Sequence, residues 1–469
     1  MAAKTACVIL AAGQGKRMRS GKVKVLHPVC GEPMVAYPVS LAISKGYAPV
    51  VVVVGSQSEA VRDYLKDRFG DKVRFVKQEP PLGTGHAVMQ ARSALKGHKG
   101  KVAILYGDVP LLGRSDLAAL EKAGRKAPVS FLTCRMENPA GYGRVLRDED
   151  GRVESIVEHR DASKAERRID EINTGIYLVD GPFLFSALAK LGRSNAQGEF
   201  YLTDVVARAR QQGLDVLGIE VDRQSVLGVN DRLELAQVGR IMNRRLVDAL
   251  MRGGVSVLDP DHTYLGPFVR VGSDSELGPG CMLRGDVRIG KGCVVGPGVM
   301  LKDCTIGKGS HVLAYSIIES SIVGKQCQVG PFARLRPGTR LGNQVKVGNF
   351  VETKKTTLGD GSKASHLSYL GDAEVGKDVN VGAGTITCNY DGFSKFTTHI
   401  GDGAFIGSDS QLVAPVSVGK NAYVGAGTTV TMDVPDGSLA ISRAKQRHIL
   451  GYATRMNKVA KKFSAKKKT

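Results

Sequence analysis

Tryptophan is absent from this chain of 469 residues, and aromatic residues of all kinds make up only 6% of it. No apolar run reaches the ~18 residues of a membrane-spanning helix, and the N-terminus lacks the layout of a signal peptide. The eight cysteines include no Cys-x-x-Cys pair, which excludes zinc-ribbon and thioredoxin-type motifs. We therefore expect a soluble, cytoplasmic protein without a membrane span, whose cysteines stay reduced.

Acidic residues are missing from the C-terminal end of the chain. The net charge is +21, and ten of the Lys and Arg residues lie between Arg443 and Thr469, where Asp and Glu are absent. Such a surplus favours anionic partners: phosphorylated small molecules, nucleic acid or a membrane surface. A terminal lysine run is usually a solvated tail, and no aromatic stacking platform or recognition motif accompanies this one. Nucleic-acid binding is therefore not expected as the main function.

Glycine is abundant instead, with 58 positions. In residues 1–230, short apolar runs at 6–12, 50–54 and 102–106 alternate with helical patterns. This alternation predicts an α/β domain with a doubly wound, Rossmann-like and mostly parallel sheet. Ligands bind such sheets at the carboxyl ends of the strands, where the turn Gly13-Gln14-Gly15 and Asp108 are placed.

The C-terminal half has a six-residue period. Aliphatic residues recur every six positions from Leu265 to Leu301, from Val323 to Val347 and from Ile400 to Val430. Most are followed by Gly, and small residues fill a second slot in each hexad. Three such hexads make one triangular coil of about 18 residues, so the period predicts a left-handed parallel β-helix. We expect it over 253–442, after a helical linker at 231–252 and before a basic tail at 443–469.

The turn LAAGQGKRM follows a strand and opens a helix, so its backbone N–H groups suit a phosphate. It is neither a Rossmann fingerprint, because Met18 replaces the third Gly, nor a Walker A loop. Arg17 and Lys24 follow closely and would suit a triphosphate. Asp108 could hold Mg2+, which prefers oxygen ligands and substrate phosphates. Taken alone, however, the glycine turn is weak evidence, and Asp108 would more often be a helix cap or a turn residue.

Several motifs in the N-terminal half resemble those of the sugar-nucleotide pyrophosphorylases: LAAGQGKRM with Lys24, LGTGHA, YGDVPL, GYGR, IVEH and EINTGIY. The C-terminal motifs PFARLRPG, VGNFVETKK, SHLSYLGDAEVG and GAGTITCNYDG are more specific. Joined to a hexapeptide helix in this order, they resemble a family of bacterial bifunctional enzymes. That family combines an N-acetylglucosamine-1-phosphate uridylyltransferase with a glucosamine-1-phosphate N-acetyltransferase. The resemblance runs from about residue 5 to about residue 443.

The resemblance implies synthesis of UDP-N-acetylglucosamine, which feeds peptidoglycan and lipopolysaccharide precursors. Acetyl-CoA first acetylates glucosamine 1-phosphate, and UTP then uridylylates the product in a Mg2+-dependent step that releases pyrophosphate. It also implies a homotrimer with sites between neighbouring subunits. Arg17 and Lys24 would act on the phosphates, and Asp108 and Asn230 would hold Mg2+. The remaining nucleotide and sugar contacts would be Leu10, Ala11, Ala12, Gly13, Gln78, Gly83, Thr84, Tyr106, Gly107, Gly143, Glu158 and Asn173.

For acetyl transfer, the resemblance makes His366 the general base, because an ammonium group must lose a proton before it can attack. Glucosamine 1-phosphate would be bound by Arg336, Lys354, Tyr369 and Asn380. Acetyl-CoA would be bound by Ala383, Asn389, Tyr390, Lys395, Ser408, Ala426 and Arg443.

An alternative is a monofunctional sugar-1-phosphate nucleotidyltransferase, in which the β-helix serves only as a trimerising scaffold. The presence of His366, Asn389 and Tyr390 argues against it.

Overall fold

The computed structural model describes residues 4–13, 15–56 and 59–466. The chain divides into two compact units. The first runs to residue 249 and includes 264–268, and the second comprises 250–263 and the residues after 268. Each unit is described separately below.

The N-terminal unit is built on a mixed sheet with the strand order β11-β7-β10-β6-β1-β4-β5. Strand β1 pairs in parallel with β4 and β6, whereas β10 runs antiparallel to β6 and β7. Strands β8 and β9 extend from β10, and β2 and β3 form a separate pair. The strands are β1 Ala6–Ala11, β2 Pro28–Val29, β3 Glu32–Pro33, β4 Val50–Val54, β5 Val73–Lys77, β6 Lys101–Tyr106, β7 Val129–Arg135, β8 Arg144–Arg147, β9 Val153–Val157, β10 Glu171–Asp180 and β11 Val216–Glu220.

Helices cover both faces of this sheet, so its central strands are buried on each side. Along β1, Cys7 and Ile9 point into one apolar core, while Val8 and Leu10 point into the other. This explains why the strand is a continuous apolar run rather than an alternating one. The α-helices of this unit are α1 Ala36–Ser44, α2 Glu59–Phe69, α3 Thr84–Gln90, α4 Arg114–Gly124, α5 Gly181–Leu188, α6 Asp204–Gln211 and α7 Arg232–Arg252, whose last residues are grouped with the second unit. A further helix, α8 Tyr452–Lys466, lies in the second unit. Short 3-10 turns occupy Lys16–Met18, Lys24–Leu26, Gly70–Lys72, Glu166–Arg168 and Arg223–Val226.

The long helix α7 carries its apolar residues at spacings of three and four. Val238 and Met242 pack into a small core with Val29, Met34 and Leu111. None of the helices in the described chain combines the length and the apolar character needed to traverse a bilayer.

The second unit, over its described residues, winds through three stacked sheets whose strands pair in parallel. The first face contains Ser256–Val257, Glu276–Leu277, Val294–Val295, His311–Val312, Gln328–Val329, Lys346–Asn349, Lys363–His366, Asn380–Val381, Phe405–Ile406, Tyr423–Val424 and Leu439–Ala440. The second contains Met282–Arg284, Met300–Lys302, Ile317–Glu319, Arg334–Leu335, Glu352–Lys354, Tyr369–Gly371, Ile386–Cys388, Gln411–Val413 and Thr429–Val430. The third contains Arg270–Val271, Arg288–Ile289, Thr305–Ile306, Ile322–Val323, Arg340–Leu341, Thr357–Leu358, Ala373–Val375, Thr398–Ile400 and Val416–Val418. The strand Tyr264–Leu265 is grouped with the N-terminal unit.

The six-residue period accounts for this architecture. In a typical hexad the aliphatic residue is buried and the residue before it is exposed, as in Glu276–Leu277 and Arg340–Leu341. Small polar residues fill the interior corners; the Ser275 hydroxyl donates to Gly290 O and accepts from Cys293 N. These are the features of the left-handed parallel β-helix that the sequence predicts. All eight cysteines are free thiols.

The stacked core predicts an asymmetry between two isoleucines that lie close in sequence. Ile318 is fully buried, whereas Ile322 is 43% exposed. We expect Ile318→Ala to lower the free energy of unfolding by about 2–5 kcal/mol, because it leaves a cavity in a packed interior. The matched control Ile322→Ala should change it by about 1 kcal/mol or less. Urea unfolding followed by circular dichroism suits a chain without tryptophan, and equal losses in the two variants would contradict this account of the core.

Candidate active sites

A cavity of about 250 Å³ opens at the carboxyl end of β6 in the N-terminal unit. Its lining includes residues that are far apart in the chain and that were predicted to contact the nucleotide or the sugar in uridylyl transfer. Tyr142, Leu202 and Thr203 add to its wall. The predicted residues in its lining are Thr84, Tyr106, Asp108, Gly143, Glu158, Asn173 and Asn230.

A second cleft, of about 360 Å³, lies beside the glycine turn that follows β1. Ala11, Ala12, Gly13 and Gly15 line it. Gln14, between the two glycines, lies outside the described residues. The described lining of neither cavity includes Arg17, which is exposed on the turn Lys16–Met18. The structure therefore places the backbone of the turn in a cleft but does not bring Arg17 to it.

Hydrogen bonds and close packing hold Gly107, Gln78 and Gly83, three of the other predicted nucleotide residues, in place. Gly107 N donates to Leu10 O at 2.9 Å, which links the ends of two neighbouring strands. Gln78 is buried, and its Nε2 donates to Gly83 O at 2.9 Å. Gly83 has φ +102, and a side chain there would approach within 2.7 Å of Phe200 O. Only glycine satisfies both requirements at this position.

Lys24 is the electrostatic centre of the N-terminal site. Its Nζ lies 2.5 Å from Asp108 Oδ2 and donates to Asn230 Oδ1 at 2.9 Å. The Lys24 side chain is largely buried, and its stem fills the space where a side chain on Gly15 would be. The ammonium thus neutralises Asp108 and contacts both oxygens predicted to hold a metal ion.

Asp108 and Asn230 offer the hard oxygen donors that suit a divalent cation. Among the described residues, no group of three or more His, Cys, Asp or Glu side chains could hold a metal ion. Such a pair nevertheless fits Mg2+, which is typically bound through one or two carboxylates together with substrate phosphates. A cation at this position would have to displace the Lys24 ammonium.

Glu158 provides a carboxyl group at the sugar end of the cavity. Burial raises its pKa, and a hydrogen bond from Thr203 Oγ1 at 3.2 Å partly offsets this effect. Asn173 N donates to Gly143 O at 2.9 Å, which joins two further predicted residues. Thr203 could not be selected from the sequence, because 45 residues separate it from Glu158 and no motif connects them.

In the β-helix, His366 lies next to a residue that the sequence analysis did not select. Asn349 and His366 are paired on adjacent parallel strands, and His366 Nδ1 lies 2.9 Å from Asn349 Oδ1. An amide oxygen only accepts, so Nδ1 carries the proton in the neutral imidazole. His366 is exposed as a residue, and its Nε2 is then left with a lone pair. The separation of 17 residues, which is one coil, was a signal that could have identified Asn349.

Below His366, residues predicted to bind acetyl-CoA form a column along one edge of the β-helix. Asp409 N donates to Ala383 O at 2.7 Å, and Gly427 N donates to Ser408 O at 2.8 Å. A side chain on Gly427 would lie 3.6 Å from Cδ of Arg443, so the stem of Arg443 runs beside this glycine. We call this set the coenzyme column: Ala383, Ser408, Ala426 and Arg443.

Glycine keeps the coenzyme column flat and narrow. A side chain on Gly382 would lie 2.5 Å from Ser408 N, and one on Gly407 would lie 2.5 Å from Ala426 N. Such contacts are too close for any residue with a Cβ, so glycine is required between the stacked turns. The result is a shallow edge of backbone and small side chains on which a long, thin ligand could lie.

The predicted phosphate residues lie on the second face. Arg336 Nη1 donates to Glu352 Oε1 at 2.8 Å, and this carboxylate raises the pKa of Arg336. The neighbouring Lys395 ammonium, with a smaller effect of Arg336, lowers the pKa of Lys354. The structure thus brings Lys354 and Lys395 together, although they were assigned to different substrates. Glu352 lies within a quoted motif but was not selected.

The insertion after the strand Ile386–Cys388 forms a folded loop. Asn389 is buried, and its Nδ2 donates to Asp372 Oδ2 at 2.5 Å. Tyr390 and Lys395 form an antiparallel bridge across the loop, which fixes Lys395 in place. The other predicted residues are on the strands: Tyr369 follows the corner at Leu367, and Asn380 pairs with Lys363. Asp372 was also missed by the sequence analysis.

Comparison with known families and proteins agrees with this two-part organisation. Residues 6–222 match the nucleotidyl transferase family, and residues 397–431 match the bacterial transferase hexapeptide (six repeats). Residues 265–359 match the GMPPB C-terminal domain. The bifunctional protein GlmU of Pelobacter propionicus is 53% identical over 97% of this chain and 99% of its own length.

The chain belongs to the bifunctional GlmU family. The GlmU proteins of Geotalea uraniireducens and Brevibacillus brevis are 49% and 47% identical, over 94% and 97% of this chain and 97% and 99% of their own lengths. Membership in the GlmU family confirms the predicted enzyme class and the two activities, uridylyl transfer and acetyl transfer.

The contact between Lys354 and Lys395 predicts a change that NMR can measure. In Lys395→Met, the pKa of Lys354 should rise towards its ordinary value, because the neighbouring positive charge is removed. A pH titration of 13C-methylated lysines would follow the Lys354 signal. Lys377→Met, which removes a lysine elsewhere on the β-helix, should leave that signal unchanged. An identical Lys354 titration in Lys395→Met and the unsubstituted enzyme would contradict the predicted proximity.

Proposed function

We propose that this bifunctional enzyme makes UDP-N-acetylglucosamine at two separate sites. The β-helix would transfer the acetyl group of acetyl-CoA to glucosamine 1-phosphate, and the N-terminal unit would then transfer uridylyl from UTP. This proposal is supported by the separation of the two residue sets: seven of the predicted nucleotide and sugar residues line the 250 Å³ cavity of the N-terminal unit, whereas His366 and the other predicted acetyl-transfer residues belong to the β-helix unit. The eight free cysteines agree with a reducing, cytoplasmic location.

For uridylyl transfer, the sugar phosphate would attack the α-phosphorus of UTP, and pyrophosphate would leave. No protein nucleophile is needed, so positioning and charge neutralisation account for the acceleration. Gln78, Gly83 and Thr84 would read the uracil, while Gly143, Glu158 and Asn173 would hold the N-acetylglucosamine. The Lys24 ammonium lies beside Asp108, which lines the cavity, and from there it could meet the phosphates.

We assign a Mg2+ site to Asp108 and Asn230, whose oxygens both contact Lys24. When bound, the ion would neutralise phosphate charge. Arg17 would add a second cation from the neighbouring turn, although it is exposed in the structure. Its proposed role requires it to move towards the phosphates.

For acetyl transfer, His366 would act as the general base. Its Nε2 would accept the proton that the amine of glucosamine 1-phosphate loses on attacking the thioester carbonyl carbon, and CoA would leave as the C–S bond breaks. The hydrogen bond to Asn349 keeps Nδ1 protonated and Nε2 available. Arg336 and Lys354 would bind the sugar phosphate, with Tyr369 and Asn380 placing the sugar.

Acetyl-CoA would lie along the coenzyme column. Asn389 and Tyr390 would be near the thioester, and Arg443 would meet a CoA phosphate. Lys395 is next to Lys354, so it could serve either phosphate. Lys354 and Lys395 would thus supply positive charge for the phosphate groups of both ligands.

We assign a homotrimer to this enzyme, on the evidence of an exposed apolar corner. Tyr315, Phe332 and Phe350 stack with ring centroids 5.5 Å apart, and all three rings are about half exposed. Leu367 continues the same corner directly after His366 and is 62% exposed. Burial of this corner against a neighbouring subunit would place the acetyl-transfer site at a subunit interface.

Separate sites predict separable losses. His366→Ala should lower acetyl transfer by about 100-fold or more and leave uridylyl transfer intact, because only the general base is removed. Asp108→Asn should lower uridylyl transfer and leave acetyl transfer intact. Each half-reaction is measured alone, by thiol release from acetyl-CoA and by pyrophosphate release from UTP. Mixing the two variants should restore UDP-N-acetylglucosamine formation through the free intermediate, whereas loss of both activities in either variant would contradict the assignment.

The position of Lys24 predicts competition between its ammonium and a divalent cation. In Lys24→Met, Mn2+ should bind the nucleotide-free enzyme at least about fivefold more tightly, since removing a unit charge at ~4 Å is worth roughly 1 kcal/mol or more. Electron paramagnetic resonance of free Mn2+ measures this directly. Lys22→Met, at an exposed lysine near the same turn, serves as the control. Weaker Mn2+ binding in Lys24→Met would refute the competition.

A further inference from the structure

The basic tail contains a helix that the two reactions do not use. Helix α8 spans Tyr452–Lys466, and every described residue from 441 to 464 is exposed. Its large apolar side chains, Tyr452, Met456, Val459 and Phe463, are between 44% and 69% exposed. The described part of the chain therefore leaves these four side chains largely unburied.

The four apolar residues share one side of α8. They are spaced by four, three and four residues, and at about 100° per residue they fall within about 60° of the helix circumference. We call them the apolar stripe. A stripe of this kind is typical of a helix that lays one side on an apolar surface.

Positive charge surrounds the apolar stripe. Arg455, Lys458, Lys461 and Lys462 lie on the rest of the helix, and Asp and Glu are absent from Arg443 to the C-terminus. A helix with an apolar stripe and a cationic remainder matches the interfacial region of an anionic bilayer, where acyl chains lie beneath negative headgroups. Neither feature alone would select that surface.

We propose that α8 binds the surface of anionic phospholipid membranes and thereby places the enzyme at the bilayer. The apolar stripe would insert between the headgroups, and the flanking lysines would contact lipid phosphates. The lysines complement the negative charge of the lipid headgroups, and the apolar stripe complements the acyl chains beneath them. Nucleic acid would attract the lysines but would offer no apolar surface to Met456 and Val459, so the membrane is the favoured partner. The proposal is independent of the catalytic assignments, since the tail beyond Arg443 contributes none of those residues.

The test uses the full-length enzyme and vesicles of equal parts phosphatidylcholine and phosphatidylglycerol, with pure phosphatidylcholine vesicles for comparison. Flotation should recover the enzyme with the anionic vesicles and leave it behind with the neutral ones. High salt should weaken the binding, because it screens the lysines. Deletion of residues 452–469, which retains Arg443, should abolish flotation while both half-reactions continue.

Two matched double variants separate insertion from charge attraction. Met456→Asp with Phe463→Asp alters the apolar stripe, whereas Thr454→Asp with Asn457→Asp makes the same charge change on the opposite side of α8. The stripe variant should bind anionic vesicles at least about fivefold more weakly than the opposite-side variant. Equal losses in the two, absence of binding to anionic vesicles, or a gel shift with single-stranded RNA in place of flotation would each overturn the proposal.

Discussion

Parallel pairing between adjacent strands is the constraint on which both candidate sites depend. In the β-helix, coils stack about 4.8 Å apart, so residues one coil apart in sequence become neighbours. Asn349 and His366 meet in this way, and so do the residues of the coenzyme column. In the N-terminal unit, β1 and β6 end side by side, which brings the glycine turn close to Asp108. In both units, parallel pairing of strands brings candidate functional residues that are distant in sequence next to one another.

The two sites differ in the balance of their charged side chains. The N-terminal site is compensated before any ligand arrives, since Lys24 neutralises Asp108. The β-helix site brings the like charges Lys354 and Lys395 together, and this lowers the pKa of Lys354. A compensated site suits a ligand that brings both a cation and an anion, such as a metal-bound triphosphate. The excess positive charge at Lys354 and Lys395 suits anionic ligands such as a sugar phosphate or CoA.

Most of the fold could be predicted from the sequence, because hexads and apolar strands obey local rules. Seven of the predicted nucleotide and sugar residues line one cavity, while the roles assigned to them stay predictions. The antiparallel direction of β10 was not predicted, since direction depends on connections rather than on composition. Residues that position others were missed: Asn349, Glu352, Asp372 and Thr203 act through contacts made only in the fold. The adjacency of Lys354 and Lys395 also needed the loop geometry, because the bridge between Tyr390 and Lys395 determines where that lysine lies.

One measurement tests the central claim, that a single chain carries both reactions. The purified enzyme receives glucosamine 1-phosphate, acetyl-CoA, UTP and Mg2+, and mass spectrometry follows the products over time. The account predicts free CoA first, N-acetylglucosamine 1-phosphate as a transient, and UDP-N-acetylglucosamine with pyrophosphate as the end products. If CoA is never released while added N-acetylglucosamine 1-phosphate is still uridylylated, the β-helix is a scaffold, and the role assigned to His366 is wrong.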